Sequence, residues 1–465
     1  MTITGSGSAP ERPSLTFLGA ARTVTGSKFL LQTGRTRVLL DCGLYQGARE
    51  LRRRNWQDLP FDPARLDAVV LTHAHLDHCG ALPLLVRHGF GGPVLCTPST
   101  ARLAGIVLRD AAHLQEEEAT FANRMGFTKH NPALPLFDAS DAEKAVRLLE
   151  PLPHDQAVDL PGGAGLTLRR AGHILGSAFA ELDVDGTRLL VSGDLGRPVH
   201  PLLLPPAAPR PCDAVVLEST YGDRCHEETS DEELADAVRR TVARGGSCLL
   251  PAFAVDRTPV VLMTLARLQD EGRIPDVPVY VDSPMALHAL EVYRGAVGRG
   301  DSEIRPQVVA GGMRLPRDLR LVPDADGSAR LNRPRRPCVV VSASGMATGG
   351  RVLHHLAEQL AHPRNTVVLT GFQVPGTRGR ALSDGARSVK IHGRYVPVRA
   401  EVCTVRGLSA HADAEETLGW LSEIDPATAY VVHGEPEAAD ALARRLESRG
   451  WLAVVPRYQE RVRLR

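Results

Sequence analysis

The feature that most limits what this chain can become is the run Thr72-His73-Ala74-His75-Leu76-Asp77-His78, which follows directly on the apolar stretch Ala68-Val69-Val70-Leu71. A chance cluster of this density is improbable. In an extended segment, residues two apart point the same way, so His73 and His75 can converge on one ion. Asp77 and His78, at the start of the helical pattern that follows, can face a second. Imidazole combined with carboxylate suits zinc, with iron and manganese as compatible alternatives.

A site for two cations needs further ligands, and other apolar strands end on suitable residues: His173 in AGHILGSA, Asp194 in VSGDLG and His433 in VVHGE. A carboxylate can place one oxygen on each of two cations, which imidazole cannot, so Asp194 is the natural bridge. Between metals about 3.5–4 Å apart, a shared water would lose a proton near neutral pH and become the nucleophile. Asp41 in VLLDCG also ends a strand, where a buried aspartate is better suited to accept the free N–H of a ligand histidine than to bind metal.

Along the chain, the Gly/Ser/Pro-rich start predicts disorder. Short apolar strands separated by turns follow, and residues 101–150 have a helical pattern. From Tyr221 the texture changes to alternating strands and helices, from the helix DEELADAVRRTVARGG through the strand CVVVSAS. The final stretch again holds histidines at strand ends, which makes the alternating module an insertion. The expected organisation is a first domain over residues 1–222, an inserted α/β domain over 223–397 and a return to the first domain over 398–465.

The start carries neither a basic nor an apolar targeting region, and there is no run of 18 apolar residues, so a cytoplasmic protein with no membrane segment is expected. The eight cysteines are scattered without C-x-x-C spacing, which favours reduced thiols over disulfides or a zinc knuckle. Lys+Arg of 55 against Asp+Glu of 54 excludes a global field that would attract polyanions, so any nucleic-acid affinity must come from a local groove.

THAHLDH, AGH-x-x-GSA, SGDLG and the early LLDCG, in this order, resemble the metallo-β-lactamase superfamily. The resemblance implies an αβ/βα sandwich with a metal site at one edge. It also implies two Zn²⁺ per chain: His73, His75 and His173 on one, Asp77, His78 and His433 on the other, and Asp194 between them. Around and within the insertion, LEST-YG with Glu218, SAHAD with His411, VVHGE with His433, and LPAFAVDR, VYVDSPMA and SGMATGG are similar to the β-CASP RNA nucleases. The inserted module would then be a β-CASP cap domain, and the substrate single-stranded RNA.

The resemblance implies cleavage of RNA phosphodiester bonds within the chain, with 5′-to-3′ trimming left open. His411 would be the acid for the departing ribose oxygen, with Glu218 holding its proton and tautomer. Dimers occur among relatives, so a homodimer is expected. Ser344, Gly345 and Met346 lie on a strand-to-helix turn that can offer backbone N–H groups to phosphate, and Arg378 and Arg380 could line a phosphate path. Two competing readings are a small-molecule ester or thioester hydrolase, which leaves Glu218 and His411 unexplained, and a non-enzymatic scaffold, which the complete ligand set argues against.

Two departures stand out. Relatives usually carry glycine in the AFAVGR-like segment and a polar pair soon after, whereas this chain has Asp256 and Pro259-Val260. No KH-like extension is expected before the first domain, so any sequence preference would have to come from a partner or not exist.

Overall fold

The computed structural model describes residues 12–126, 130–226, 231–425 and 427–464. Most of the N-terminal stretch expected to be disordered lies outside them. Two seven-stranded sheets form the frame. The first runs Arg461–Arg463, Ser14–Phe17, Phe29–Gln32, Arg37–Leu40, Ala68–Val70, Val94–Cys96 and Leu149–Pro151. The second runs Leu452–Val454, Thr428–Val432, Ala214–Glu218, Thr187–Val191, Ala178–Val184, Gly165–Arg170 and Ala157–Asp159. The last strands of the chain therefore join both sheets, which closes the domain after the insertion.

Alternation along the strands sends one set of side chains between the sheets. Leu15, Phe17, Leu31, Val38 and Leu40 of the first sheet meet Leu166, Leu168, Leu182, Leu189 and Val216 of the second in one buried cluster. Each such side chain, fully buried, contributes about 1.5–3 kcal/mol. The outer face of the first sheet is covered by helices Leu82–Arg87, Pro98–Met125 and Ala139–Arg147, and that of the second by Ala414–Trp420 and Pro436–Glu447. The result is the expected αβ/βα sandwich.

Helix Pro98–Met125 starts where Thr97 Oγ1 accepts the Thr100 N–H at 3.2 Å, with proline in the first turn, and stops at Gly126 in a left-handed conformation.

The insertion builds a third sheet of six strands in the order Leu319–Leu321, Val279–Val281, Cys338–Ser342, Ser247–Pro251, Thr366–Leu369 and Glu401–Thr404, every pair parallel. Near-continuous apolar strands and helices on both faces fit such a sheet. Strand Glu401–Thr404 corrects the boundary at residue 397. It pairs in parallel with Thr366–Leu369, so the inserted sheet extends to Thr404 before the chain returns. As a half-buried edge strand it carries no sequence mark of the sheet it belongs to.

Strands Ser247–Pro251 and Cys338–Ser342 are neighbours whose onward connections leave in opposite directions. Their carboxyl ends thus form the switch point of the sheet, where open parallel sheets have their crevice.

All eight cysteines are free, and Cys42, Cys79, Cys96, Cys248 and Cys338 are buried. Among the described residues no helix is long and apolar enough to cross a membrane.

Candidate metal centre

The strands that end at one edge of the sandwich deliver the site. Arg37–Leu40 and Ala68–Val70 are parallel neighbours and carry Asp41 and His73-His75 just past their ends. Thr187–Val191, Ala214–Glu218 and Thr428–Val432 are likewise parallel, and lead to Asp194, Glu218 and His433. Gly165–Arg170 runs the same way, being separated from Thr187–Val191 by one antiparallel strand, and leads to His173.

His73, His75, His173 and Asp194 place ligand atoms together, as do Asp77, His78 and His433. In the first group His75 Nδ1 lies 3.1 Å from His73 Nε2 and 3.3 Å from His173 Nε2. Asp194 Oδ2 lies 3.5 Å from His73 Nε2 and 3.6 Å from His173 Nε2. In the second, His78 Nε2 lies 3.3 Å from His433 Nε2, which is 3.6 Å from Asp77 Oδ2. The other oxygen of Asp194, Oδ1, is 3.2 Å from His78 Nε2 and 3.3 Å from His433 Nδ1.

Bonds of about 2.0–2.2 Å in a tetrahedron place ligand atoms roughly 3.3–3.6 Å apart, so these separations fit a zinc ion in each group. Asp194 turns one oxygen to each. Oδ1 is buried without a hydrogen-bond partner, as is His75 Nε2. Burial holds His73 and His173 well below the usual histidine range and brings His75 to about 4, so all three present neutral imidazoles with lone pairs.

The histidine tautomers are set from behind. Asp41, fully buried and in the left-handed region at φ 58°, accepts the Thr72 N–H at 2.8 Å, the Thr72 hydroxyl at 2.9 Å and His78 Nδ1 at 2.8 Å. With its own proton on Asp41, the Thr72 hydroxyl accepts from His73 Nδ1 at 3.1 Å. The Nε2 atoms of both His73 and His78 thereby face the centre, with His73 neutral, while Asp194 and Asp41 outweigh burial and hold His78 well above the usual histidine range. Thr72 was missed in the sequence because a threonine at a strand end has no distinguishing mark.

His411 stands beside this cluster, its ring 4.4 Å from that of His173. Its Nδ1 donates to Glu218, 3.1 Å from Oε2 and 3.3 Å from Oε1. Glu218 is buried, and also accepts the Leu195 N–H at 2.5 Å and the Thr220 hydroxyl at 2.7 Å. Burial opposes a charge on His411, and Glu218 and Asp194 outweigh it, so its pKa stands above the usual value.

The switch point of the inserted sheet opens on the same place. Phe253, just past strand Ser247–Pro251, has its ring 6.0 Å from that of His75 and packs against Gly345, just past Cys338–Ser342. A Cβ on Gly345 would stand 2.9 Å from the Phe253 backbone nitrogen, so only glycine fits this approach.

Other residues read as phosphate contacts are placed differently. Met346 is buried against Val24 and Val374. Arg378 donates to the carbonyls of Lys390, Ala347 and Thr348, and Arg380 pairs with Asp384 at 2.9 Å. Both guanidinium groups therefore already have protein partners, and Ser344 is half-buried, its hydroxyl 3.0 Å from that of Thr348.

The comparisons agree along the chain. Residues 23–238 match the metallo-beta-lactamase superfamily, residues 259–382 the Beta-Casp domain, and residues 395–456 the Zn-dependent metallo-hydrolase RNA specificity domain. Ribonuclease TTHA0252 of Thermus thermophilus is 40% identical over 447 residues, covering 96% of this chain and 98% of that protein. An RNase J-like protein of Methanocaldococcus jannaschii is 31% identical, covering 90% and 92%. The transcription termination factor FttA of the same organism is 31% identical, covering 90% of this chain and 67% of that protein. A crystal structure of an Enterococcus faecalis protein of unknown function shares the fold, with a TM-score of 0.53, 13% identity and coverage of 97% and 99%. The chain belongs to the β-CASP RNA nuclease family of the metallo-β-lactamase superfamily and is a metal-dependent hydrolase.

Proposed function

We propose that this chain is a zinc-dependent endoribonuclease that hydrolyses phosphodiester bonds of single-stranded RNA at a two-metal centre. The observation that carries the reading is the pair of oxygens on Asp194, each turned to a separate group of ligands, with the His411–Glu218 pair beside them. His73, His75 and His173 would hold one ion and Asp77, His78 and His433 the other. When bound, the ions supply a hydroxide near neutral pH and neutralise charge on the phosphoryl oxygens.

The remaining work falls to the chain's own residues. Glu218 fixes the Nδ1 proton of His411, which leaves Nε2 as the atom that carries a proton to the departing 3′ oxygen. Phe253 and the Gly345 turn form a wall against His75, where the backbone can approach a phosphate closely. The similarity to a protein named ribonuclease supports RNA as the substrate. An ester or thioester hydrolase would share the metal cluster but leave the His411–Glu218 pair and the inserted sheet without a task.

The test is to incubate the purified protein with labelled single-stranded RNA and with a chromogenic thioester, each with and without chelator. The proposal expects chelator-sensitive cuts within the RNA and no thioester turnover. Thioester turnover without RNA cleavage would refute it.

A further inference from the structure

Asp256 lies between strand Ser247–Pro251 and helix Arg257–Asp270, where the Arg257 N–H donates to the Val255 carbonyl at 2.9 Å. With φ 66° and ψ −56°, Asp256 is the centre of a γ-turn of the strained kind. Glycine would adopt it more readily. An aspartate held in this conformation calls for surroundings that favour it, and an outlier of this sort is a reason to look for function.

Its carboxylate is buried and partnered from two directions. His200 Nδ1 accepts the N–H groups of Leu202 at 3.1 Å and Leu203 at 3.0 Å, so the ring proton sits on Nε2, which donates to Asp256 Oδ2 at 3.2 Å. The Tyr293 hydroxyl donates to Asp256 Oδ1 at 3.2 Å and accepts the Leu175 N–H at 3.1 Å. One residue on, the Gly176 N–H donates to Glu303 Oε2 at 2.7 Å.

Leu175 and Gly176 belong to the turn that carries His173. Ser177 Oγ accepts the N–H groups of His173 and Ile174, at 2.9 and 3.2 Å, while Thr97 and Thr100 donate to the Gly176 carbonyl at 2.6 and 2.8 Å. Those partners come from the first domain. The donors of Leu175 and Gly176 are instead satisfied by Tyr293 and Glu303, both from the inserted domain. An unmet buried N–H is costly, so the turn keeps this shape only while the inserted domain is docked on it.

We propose that Asp256, Tyr293 and Glu303 are positioning residues through which the inserted domain sets the metal affinity of the first, by holding the turn that carries His173. This rests on His173 being a metal ligand. Asp256 orients the Tyr293 hydroxyl so that its lone pair meets Leu175, and Glu303 fixes the next amide. The γ-turn is the strain that accompanies putting a carboxylate at that point.

The test uses the full-length protein, with zinc affinity read by competition against a chromogenic chelator and amide exchange read over residues 173–177. Asp256→Gly should relieve the backbone strain but leave the His200 and Tyr293 donors unmet, and should weaken zinc binding about tenfold, the lower end for a supporting partner. Tyr293→Phe, which keeps the packing, should weaken zinc binding similarly and speed exchange at Leu175. Glu303→Gln, which retains an acceptor, should bind zinc nearly as the parent does.

Wild-type zinc affinity in both Asp256→Gly and Tyr293→Phe, with unchanged exchange, would overturn the proposal. So would a lowered melting temperature with unchanged zinc affinity, which marks a purely structural network. Should Asp256→Gly not fold, Tyr293→Phe decides alone. His173→Ala separates the two layers of the argument. If it too binds zinc as the parent does, the ligand assignment fails; if it loses zinc while the other variants do not, only the positioning role fails.

Discussion

Removing the imidazole of residue 411 distinguishes an acid from a metal ligand, because the two roles respond differently to the same change. In His411→Ala, Glu218 keeps the Leu195 N–H and the Thr220 hydroxyl but loses its third donor. One lost hydrogen bond to a buried carboxylate costs about 1–3 kcal/mol of stability, which a domain with these cores tolerates. Cleavage should fall roughly 10²–10⁴-fold, the usual contribution of a positioned acid, equivalent to about 3–5 kcal/mol in the barrier. Metal content and RNA affinity should hold, since Asp194 and the histidines around it stay in place.

Glu218→Gln should lose less. The imidazole remains, but the uncharged amide meets three donors with a single acceptor oxygen and leaves the ring less firmly oriented. Single-turnover cleavage of a labelled RNA, with metal analysis of the same samples, reads all of this. A substrate with sulfur in place of the 3′ bridging oxygen needs little protonation and should recover much of the rate lost in His411→Ala. If that variant loses metal, or the sulfur substrate gains nothing over the parent enzyme, His411 is not the acid.

Three further outcomes are expected. Asp194→Asn should lose activity and at least one metal ion, because an amide bridges two cations poorly, as metal analysis after dialysis would show. Asp41→Asn places an amide N–H against the Thr72 and His78 donors, and should cost about 2–4 kcal/mol in urea unfolding and weaken zinc binding about 10–100-fold. Burial raises the Glu303 carboxyl from 4.5 to about 7, with Asp301 adding to the rise and the Gly176 N–H, Ser99 and Arg170 opposing it. The folded state then holds a proton that the unfolded state releases between about pH 4.5 and 7. Relative to Glu303→Gln, the parent should therefore lose about 3 kcal/mol as pH rises through that window, and parallel unfolding profiles in chelator would contradict this.

What was legible in the sequence followed from how local each signal is. His73, His75, Asp77 and His78 share one strand end and helix start, and His173, Asp194 and His433 each close an apolar strand beside small residues, so their chemistry is visible along the chain. Asp41 was readable for the same reason. His200, Tyr293 and Glu303 were not, because each comes from a different segment and looks alone like a core or surface residue. Arg378 and Arg380 show the opposite case. Composition gives them charge, but only the fold shows that neighbouring carbonyls and Asp384 occupy it. Asp256 was visible as a departure, and its meaning needed the γ-turn and the partners that reach it. Pro259 and Val260 proved simpler: proline lies in the first turn of helix Arg257–Asp270, where few N–H groups are needed, and Val260 packs into the inserted core.

The central claim is that two ions, divided by Asp194, act together on RNA. Metal-free protein titrated with zinc, with cleavage of labelled single-stranded RNA followed at each addition, tests it directly. Cleavage should rise to a plateau at two equivalents per chain and vanish with chelator. A plateau at one equivalent, unchanged by further zinc, or RNA left intact at every zinc level, would contradict the account.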